Sequence, residues 1–134
     1  MSLVGVAGVT LAMIDTGTLL AHIQFFEQGL NQGTPSDDGS VSLTFRDGAN
    51  GVITTVTTPQ IDNHLGAWGS YTNFYVIPVN TRSIDYRMNF IRHVGTDLDS
   101  FIDDNSLAVA TPEPSTLGML LIGLALFAIR LRRA

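Results

Sequence analysis

The sequence predicts an all-β domain, an antiparallel β-sandwich, followed by a single C-terminal transmembrane helix. Three observations predict it. Apolar and polar residues alternate with a period of two in several short runs, the pattern of strands with one buried face. Thirteen Gly and five Pro are spread along the 134 residues and punctuate those runs, as the turns of an all-β domain require. Near the C-terminus an uncharged run, residues 117–129, ends in a cluster of Arg.

Residues 1–14 are apolar and small, and Asp15-Thr16-Gly17-Thr18 reads as a turn. The preferred reading is a strand or two of the domain itself. A secretory signal would need a basic n-region and a small-residue cleavage site. No Lys or Arg precedes Arg46, and no Ala-x-Ala follows the apolar stretch. The expectation is therefore a chain that begins inside a longer protein, with a cryptic signal peptide as the alternative.

Leu19-Ala21-Ile23-Phe25 alternate with Leu20-His22-Gln24-Phe26, and Val41-Leu43-Phe45 with Ser42-Thr44-Arg46. Asp47-Gly48-Ala49-Asn50-Gly51 predicts a hairpin turn, since Asn-Gly favours positive φ. Residues 52–58 are rich in Thr and Val, and 71–78 in aromatic and β-branched types, both strand-like. Ile84-Tyr86-Met88-Phe90 alternate with Asp85-Arg87-Asn89-Ile91, predicting one buried and one mostly wet face. Phe101-Ile102 and residues 107–110 predict a last strand. Residues 29–40 and 60–68 read as long loops, and no helix is predicted before Ser115. Six or seven strands with one apolar face each must pack as two sheets, and a jelly roll is the predicted form.

Seven basic residues, all Arg, stand against twelve acidic ones, a net charge of -5. Three of those Arg lie in the last five residues, so residues 1–111 keep four Arg against eleven acids. So acidic a body argues against a nucleic-acid binder, which needs a basic face for phosphates. The absence of Cys excludes disulfides, thiolate metal sites and Cys nucleophiles.

The tail is the most informative segment. Apart from two Gly, residues 117–129 are all hydrophobic, so as a helix the run is apolar all round. Thirteen residues span roughly 20 Å of a hydrocarbon core roughly 30 Å thick. Ser115, Thr116 and Leu131 extend the run, and snorkelling Arg side chains bring it close to spanning. Arg130, Arg132 and Arg133 then predict a cytoplasmic C-terminus and a body outside the cytoplasm. A buried or amphipathic helix is the alternative. Before the run stand Thr111-Pro112-Glu113-Pro114-Ser115-Thr116. The two Pro stiffen this segment and bias it to extended backbone, and Ser115 or Thr116 suits a helix cap. The predicted organisation is a sandwich at 1–110, a linker at 111–116 and a membrane helix with a basic stop at 117–134.

Pro112-Glu113-Pro114-Ser115-Thr116, a Leu/Gly/Ala-rich run and a terminal Arg cluster, in that order, resemble the PEP-CTERM sorting signal. The resemblance covers residues 111–134. It implies export in a Gram-negative bacterium that makes exopolysaccharide, and transient anchoring in the inner membrane. It also implies cleavage near the Pro-Glu-Pro motif by exosortase, a membrane protease-transpeptidase, then delivery to the cell surface or the medium. A second resemblance covers residues 60–110. Trp68-Gly69-Ser70-Tyr71, Phe74 to Pro78, Arg82 to Met88, Asp97 and Phe101 to Leu107 are similar to galactose-binding-like, carbohydrate-binding-module jelly rolls. Those domains run longer than this body, which implies missing N-terminal strands.

Asp97, Asp99, Asp103 and Asp104 place four carboxylates in eight residues with no basic residue among them. Such a group repels itself unless a hard cation collects the oxygens. The jelly-roll resemblance implies a structural calcium there; solvated turn residues are the alternative. Asp37 and Asp38 read as turn residues of a Pro-Ser-Asp-Asp-Gly loop. Trp68, Tyr71, Phe74 and Tyr75 supply aromatic faces for stacking on sugar rings. Strand alternation is read as sending Phe74 into the core and leaving Trp68 and Tyr71 exposed. His64, Arg92 and His93 are polar candidates beside them. For catalysis the sequence offers neither a metal-binding His pair nor a Gly-x-Ser-x-Gly elbow. The expectation is a non-catalytic surface or matrix protein that binds carbohydrate or exopolysaccharide. The alternatives are a structural matrix subunit without sugar binding and a glycan hydrolase.

Overall fold

The computed structural model describes residues 1–30, 35–61 and 66–112. Among these described residues six strands follow one short helix: α1 (Leu11–Asp15), β1 (Leu20–Gly29), β2 (Asp38–Arg46), β3 (Val52–Thr57), β4 (Gly69–Val76), β5 (Ser83–Ile91) and β6 (Ser100–Ala110). They form two three-stranded antiparallel sheets, β4-β1-β6 and β3-β2-β5. Only β2 and β3 are joined by a hairpin within one sheet; the other connections cross between sheets. The β-rich body and the two-sheet packing agree with the sequence. A jelly roll carries eight strands, and the described residues supply six.

The core comes from the alternation in the two central strands. Ala21, Ile23 and Phe25 of β1 and Val41, Leu43 and Phe45 of β2 are fully buried. Ile77, Ile84, Leu19, Ile14 and Leu3 close the cluster. Burying each large side chain stabilises the fold by roughly 1.5–3 kcal/mol. Gly39 of β2 lies against Ile102 and Glu27, at the point where the sheets approach closely. A Cβ there would meet Ile102 Cγ1 at 3.0 Å and Glu27 Cγ at 3.1 Å.

The N-terminal expectation is corrected. Residues 1–18 form turns and α1, not strands, with one isolated bridge from Ser2 to Ser83. Thr10 caps α1 by accepting from the Met13 N–H. Leu3 and Ile14 are fully buried and tie the segment to the core. Leu3 also donates to the Arg82 carbonyl at 2.9 Å, and Asp15 pairs with Arg82. Apolar content here marks packing against the sandwich end, and the Gly at positions 5, 8 and 17, all with positive φ, break any regular strand.

Two boundaries and two exposures also differ from expectation. β1 runs on to Gly29 and β2 begins at Asp38, so the intervening loop is shorter than residues 29–40. Met88 and Phe90 of β5 share the inward phase of Ile84 but are 44% and 39% exposed. They lie on an edge strand, where the opposing sheet covers the inner face least. The predicted turn at 47–51 is present: Asp47 Oδ1 accepts from the Ala49 and Gly51 N–H groups, and Asn50 has φ 66°.

Connections alternate between the two ends of the sandwich. One end carries residues 1–19, the 47–51 turn, the 77–82 connection and the exit at Thr111; the other carries the end of β1, the start of β2, the end of β3, the start of β4 and the 92–99 connection. We refer to these as the tail end and the far end. A Gly39→Val variant should lose about 1–3 kcal/mol of stability through overpacking, read as a lower midpoint in urea with an unchanged slope.

Candidate functional site

At the far end, Phe26, Trp68, Asp103 and Asp104 line a pocket of about 300 Å³. Phe26 projects from the outer face of β1, where Asp103 of β6 lies opposite it. Trp68 stands just before β4 and is 49% exposed. Adjacent residues of a regular strand point to opposite faces, so Asp103 and Asp104 should not share a pocket. A bulge allows it. Gln24 pairs with Ser106 but Phe26 with Asp103, which places one extra residue on β6. Asp104 takes the left-handed conformation at φ 49°, one that Asp tolerates better than most residues. Bulges re-aim side chains in this way. Asp103 Oδ1 accepts from the Asp104 N–H at 2.8 Å, and Tyr86 OH donates to Asn105 Oδ1 at 2.7 Å, fixing the bulge from both sides. Burial pushes the Tyr86 hydroxyl up to about 12, so it remains a donor.

The pocket combines an apolar ring face with two exposed carboxylates. The ring face is suited to apolar stacking and the carboxylates to accepting hydrogen bonds.

Asp37 and Asp38 are buried rather than turn residues, and Asp38 opens β2. The Asp37 carboxylate holds the 92–99 connection in place. Its Oδ1 accepts from the N–H groups of His93 (2.7 Å) and Val94 (3.1 Å), and its Oδ2 from that of Asp99 (2.9 Å). These donors hold the Asp37 carboxyl below the usual carboxylate range. His93 Nε2 lies 2.8 Å from Asp38 Oδ2. Nothing in the sequence distinguishes this clamp from an ordinary Asp-Asp-Gly turn, because its donors are backbone groups of a distant loop.

Other predicted site residues are dispersed. Asp97 is exposed and accepts from Thr96, and Asp99 is half-buried in the same connection. Asp103 and Asp104 lie on β6 instead. Among the described residues no three His, Asp or Glu side chains form a group able to hold a metal ion. Arg92 donates to the Thr96 carbonyl at 2.7 Å and closes its own loop. His64 lies outside the described residues.

The expected placement of Tyr71 and Phe74 is reversed. Tyr71 stacks on buried Phe25 at 5.2 Å, and its OH lies 3.3 Å from that of Tyr75. Phe74 is 52% exposed and stacks on His22 at 4.3 Å. The phase of β4 is set by pairing His22 with Phe74 and Phe25 with Tyr71, and a shift of one residue exchanges the faces. Trp68 is thus the aromatic side chain of this stretch that meets the acids. Phe26 was not anticipated; its polar-phase position in a strand facing Asp103 is the signal for it.

Residues 110–134 match the model of the PEP-CTERM protein-sorting motif. No curated protein and no solved structure matches the chain. The chain thus carries a PEP-CTERM sorting signal, the mark of an exported protein. The signal implies membrane-anchored sorting, followed by processing by exosortase, a membrane enzyme. Pro112 is exposed just past the end of β6. The remaining motif residues, Glu113 to Thr116, the apolar run and the Arg at 130, 132 and 133 lie outside the described residues. No helix among the described residues is long and apolar enough to cross a membrane.

The lowered Asp37 carboxyl contributes stability that is fully present above the ordinary carboxylate value, about 3.9. That contribution is lost as pH falls through the lower folded value. Asp15, lowered chiefly by its bond to Arg82, acts in the same direction. Asp37→Asn should lower the thermal midpoint near neutral pH by several degrees and flatten its fall below about pH 4. Melting curves from pH 2 to 7 check both effects.

Proposed function

We propose that the sandwich is a non-catalytic carbohydrate-binding body, carried to the cell surface or matrix by its PEP-CTERM tail. The observation that carries this reading is the pocket of Phe26, Trp68, Asp103 and Asp104. An exposed Trp at a concave site offers a large apolar face at low conformational cost. Paired carboxylates beside it orient a hydroxyl-rich ring. The same carboxylates repel uronic acids and sulfated sugars, so the ligand class is neutral hexose polymers, such as those of an exopolysaccharide matrix. The acidic, Lys-free body supports this role as well, since it avoids indiscriminate adhesion to anionic polymer.

Trp68 is the single Trp of the chain, so its fluorescence reports the pocket directly. Titration with neutral oligosaccharides should shift Trp68 emission. On a glycan array, Trp68→Ala should weaken retention about tenfold or more, equivalent to roughly 1.4 kcal/mol, and Asp103→Asn with Asp104→Asn should weaken it as well. Absence of retention on every neutral glycan by the unmodified chain would instead favour a structural matrix subunit.

A further inference from the structure

The exposed apolar residues of the tail end and the point where the chain leaves the sandwich coincide. Phe74 and Val76 at the end of β4, Val79 in the 77–82 connection and Leu11 of α1 are 52%, 60%, 49% and 47% exposed. Strand register extends this surface across the sheet. Val76, Leu20 and Ala110 form one outer row, and Phe74, His22 and Ala108 the next. The third row, Thr72, Gln24 and Ser106, is polar. On this face the polar third row interrupts the apolar surface two rows from the tail end. Beyond it Phe26 and Phe101 return, and Leu30, Trp68, Leu98 and Phe101 of the far end are 46–49% exposed, so distance and charge, not apolar exposure alone, distinguish the two ends. A groove of about 470 Å³, lined by Leu20, His22, Phe74, Ala110, Thr111 and Pro112, joins it to the departing chain.

Charge is distributed in the opposite sense. At the tail end Asp15 pairs with Arg82 at 2.9 Å and Arg46 with Asp85, and Asp47 is occupied by its own turn. Glu27, Asp37, Asp38, Asp99, Asp103 and Asp104 gather toward the far end, with Arg92 and His93 as the nearby basic side chains.

We propose that the tail end of the sandwich rests on the phospholipid surface while the chain is membrane-anchored, with Leu11, Phe74, Val76 and Val79 at the headgroup–acyl boundary. Distance allows this end and excludes the other. Five residue steps separate Pro112 from Leu117, the start of the apolar run, and they reach at most about 18 Å in any conformation. The ten residues of β1 span about 30 Å, which lifts the acidic far end clear of the headgroups. Anionic lipid repels that acidic end and meets little net charge at the tail end. The polar third row marks the depth at which contact ends. The carbohydrate pocket consequently faces away from the membrane, toward the matrix. The inference rests on the membrane-anchored stage of sorting and not on sugar binding.

The chain has no Cys, so single-Cys labelling is clean. Full-length Val79→Cys and Asp97→Cys variants carrying the same fluorophore would be reconstituted into phosphatidylethanolamine/phosphatidylglycerol vesicles containing headgroup spin-labelled lipid. Quenching should be several-fold stronger at position 79 than at 97. Adding Val76→Asp to the Val79→Cys variant should reduce its quenching with the thermal midpoint unchanged, since Val76 is outside the core. Equal quenching at the two positions, or stronger quenching at 97, overturns the proposal. So does weak quenching at 79 with energy transfer between labelled copies, which assigns the patch to a second copy of the chain. A chain that does not float with vesicles overturns it too, and locates the failure in the anchoring step.

Discussion

The mutual burial of β1 and β2 is the constraint on which the rest of the structure depends. Each is the central strand of its sheet, and their inward residues, Ala21, Ile23 and Phe25 against Val41, Leu43 and Phe45, have no water-exposed alternative. With period-2 side chains, that one requirement sets which residues of every neighbouring strand face in. It places Tyr71 on Phe25 and leaves Phe74 outside. It also presses Gly39 against Ile102 and Glu27, a contact any Cβ would strain.

Because connections run between sheets, the sandwich has two chemically different ends. The far end carries the 92–99 connection, clamped by the three N–H groups that Asp37 receives, and most acids among the described residues. The tail end gathers the N-terminal segment, paired ions and the exit toward the sorting signal. A bulge in β6 at Asp104 gives the far end its pocket by turning two successive carboxylates toward Trp68 and Phe26. In the proposed reading, the sorting signal and the binding pocket are separated by about the length of one strand, some 30 Å.

Elements with strong local signals were legible in the sequence. Alternation located β1, β2 and β5, β-branched and aromatic content located β3 and β4, and two short apolar runs located β6; Asp-Gly-Ala-Asn-Gly located the hairpin, and the ordered tail motif identified the sorting signal. What was not legible depends on distant partners. Residues 1–14 are apolar enough for strands, but Gly at positive φ and the burial of Leu3 and Ile14 make them a packed cap with one turn of helix. Asp37 and Asp38 look like turn residues, because the backbone donors that bury Asp37 come from a loop more than fifty residues later. Trp68 with Asp103 and Asp104 was legible as two separate candidates. Their meeting was not, since strict alternation would have sent one carboxylate away. The phase of β4 failed for a related reason. Tyr71 and Phe74 are comparably hydrophobic, so composition alone does not choose between them.

The central claim is that the tail addresses this body through the membrane and is then removed. Its most direct test is the intact mass of the protein recovered from a host that possesses exosortase and from the same host lacking it, with a working export leader in both. The account predicts a surface or medium form whose C-terminus lies in the Pro-Glu-Pro region when exosortase is present. It predicts an uncut, membrane-bound form when exosortase is absent. Full-length protein in the cytosolic fraction of both hosts would contradict it.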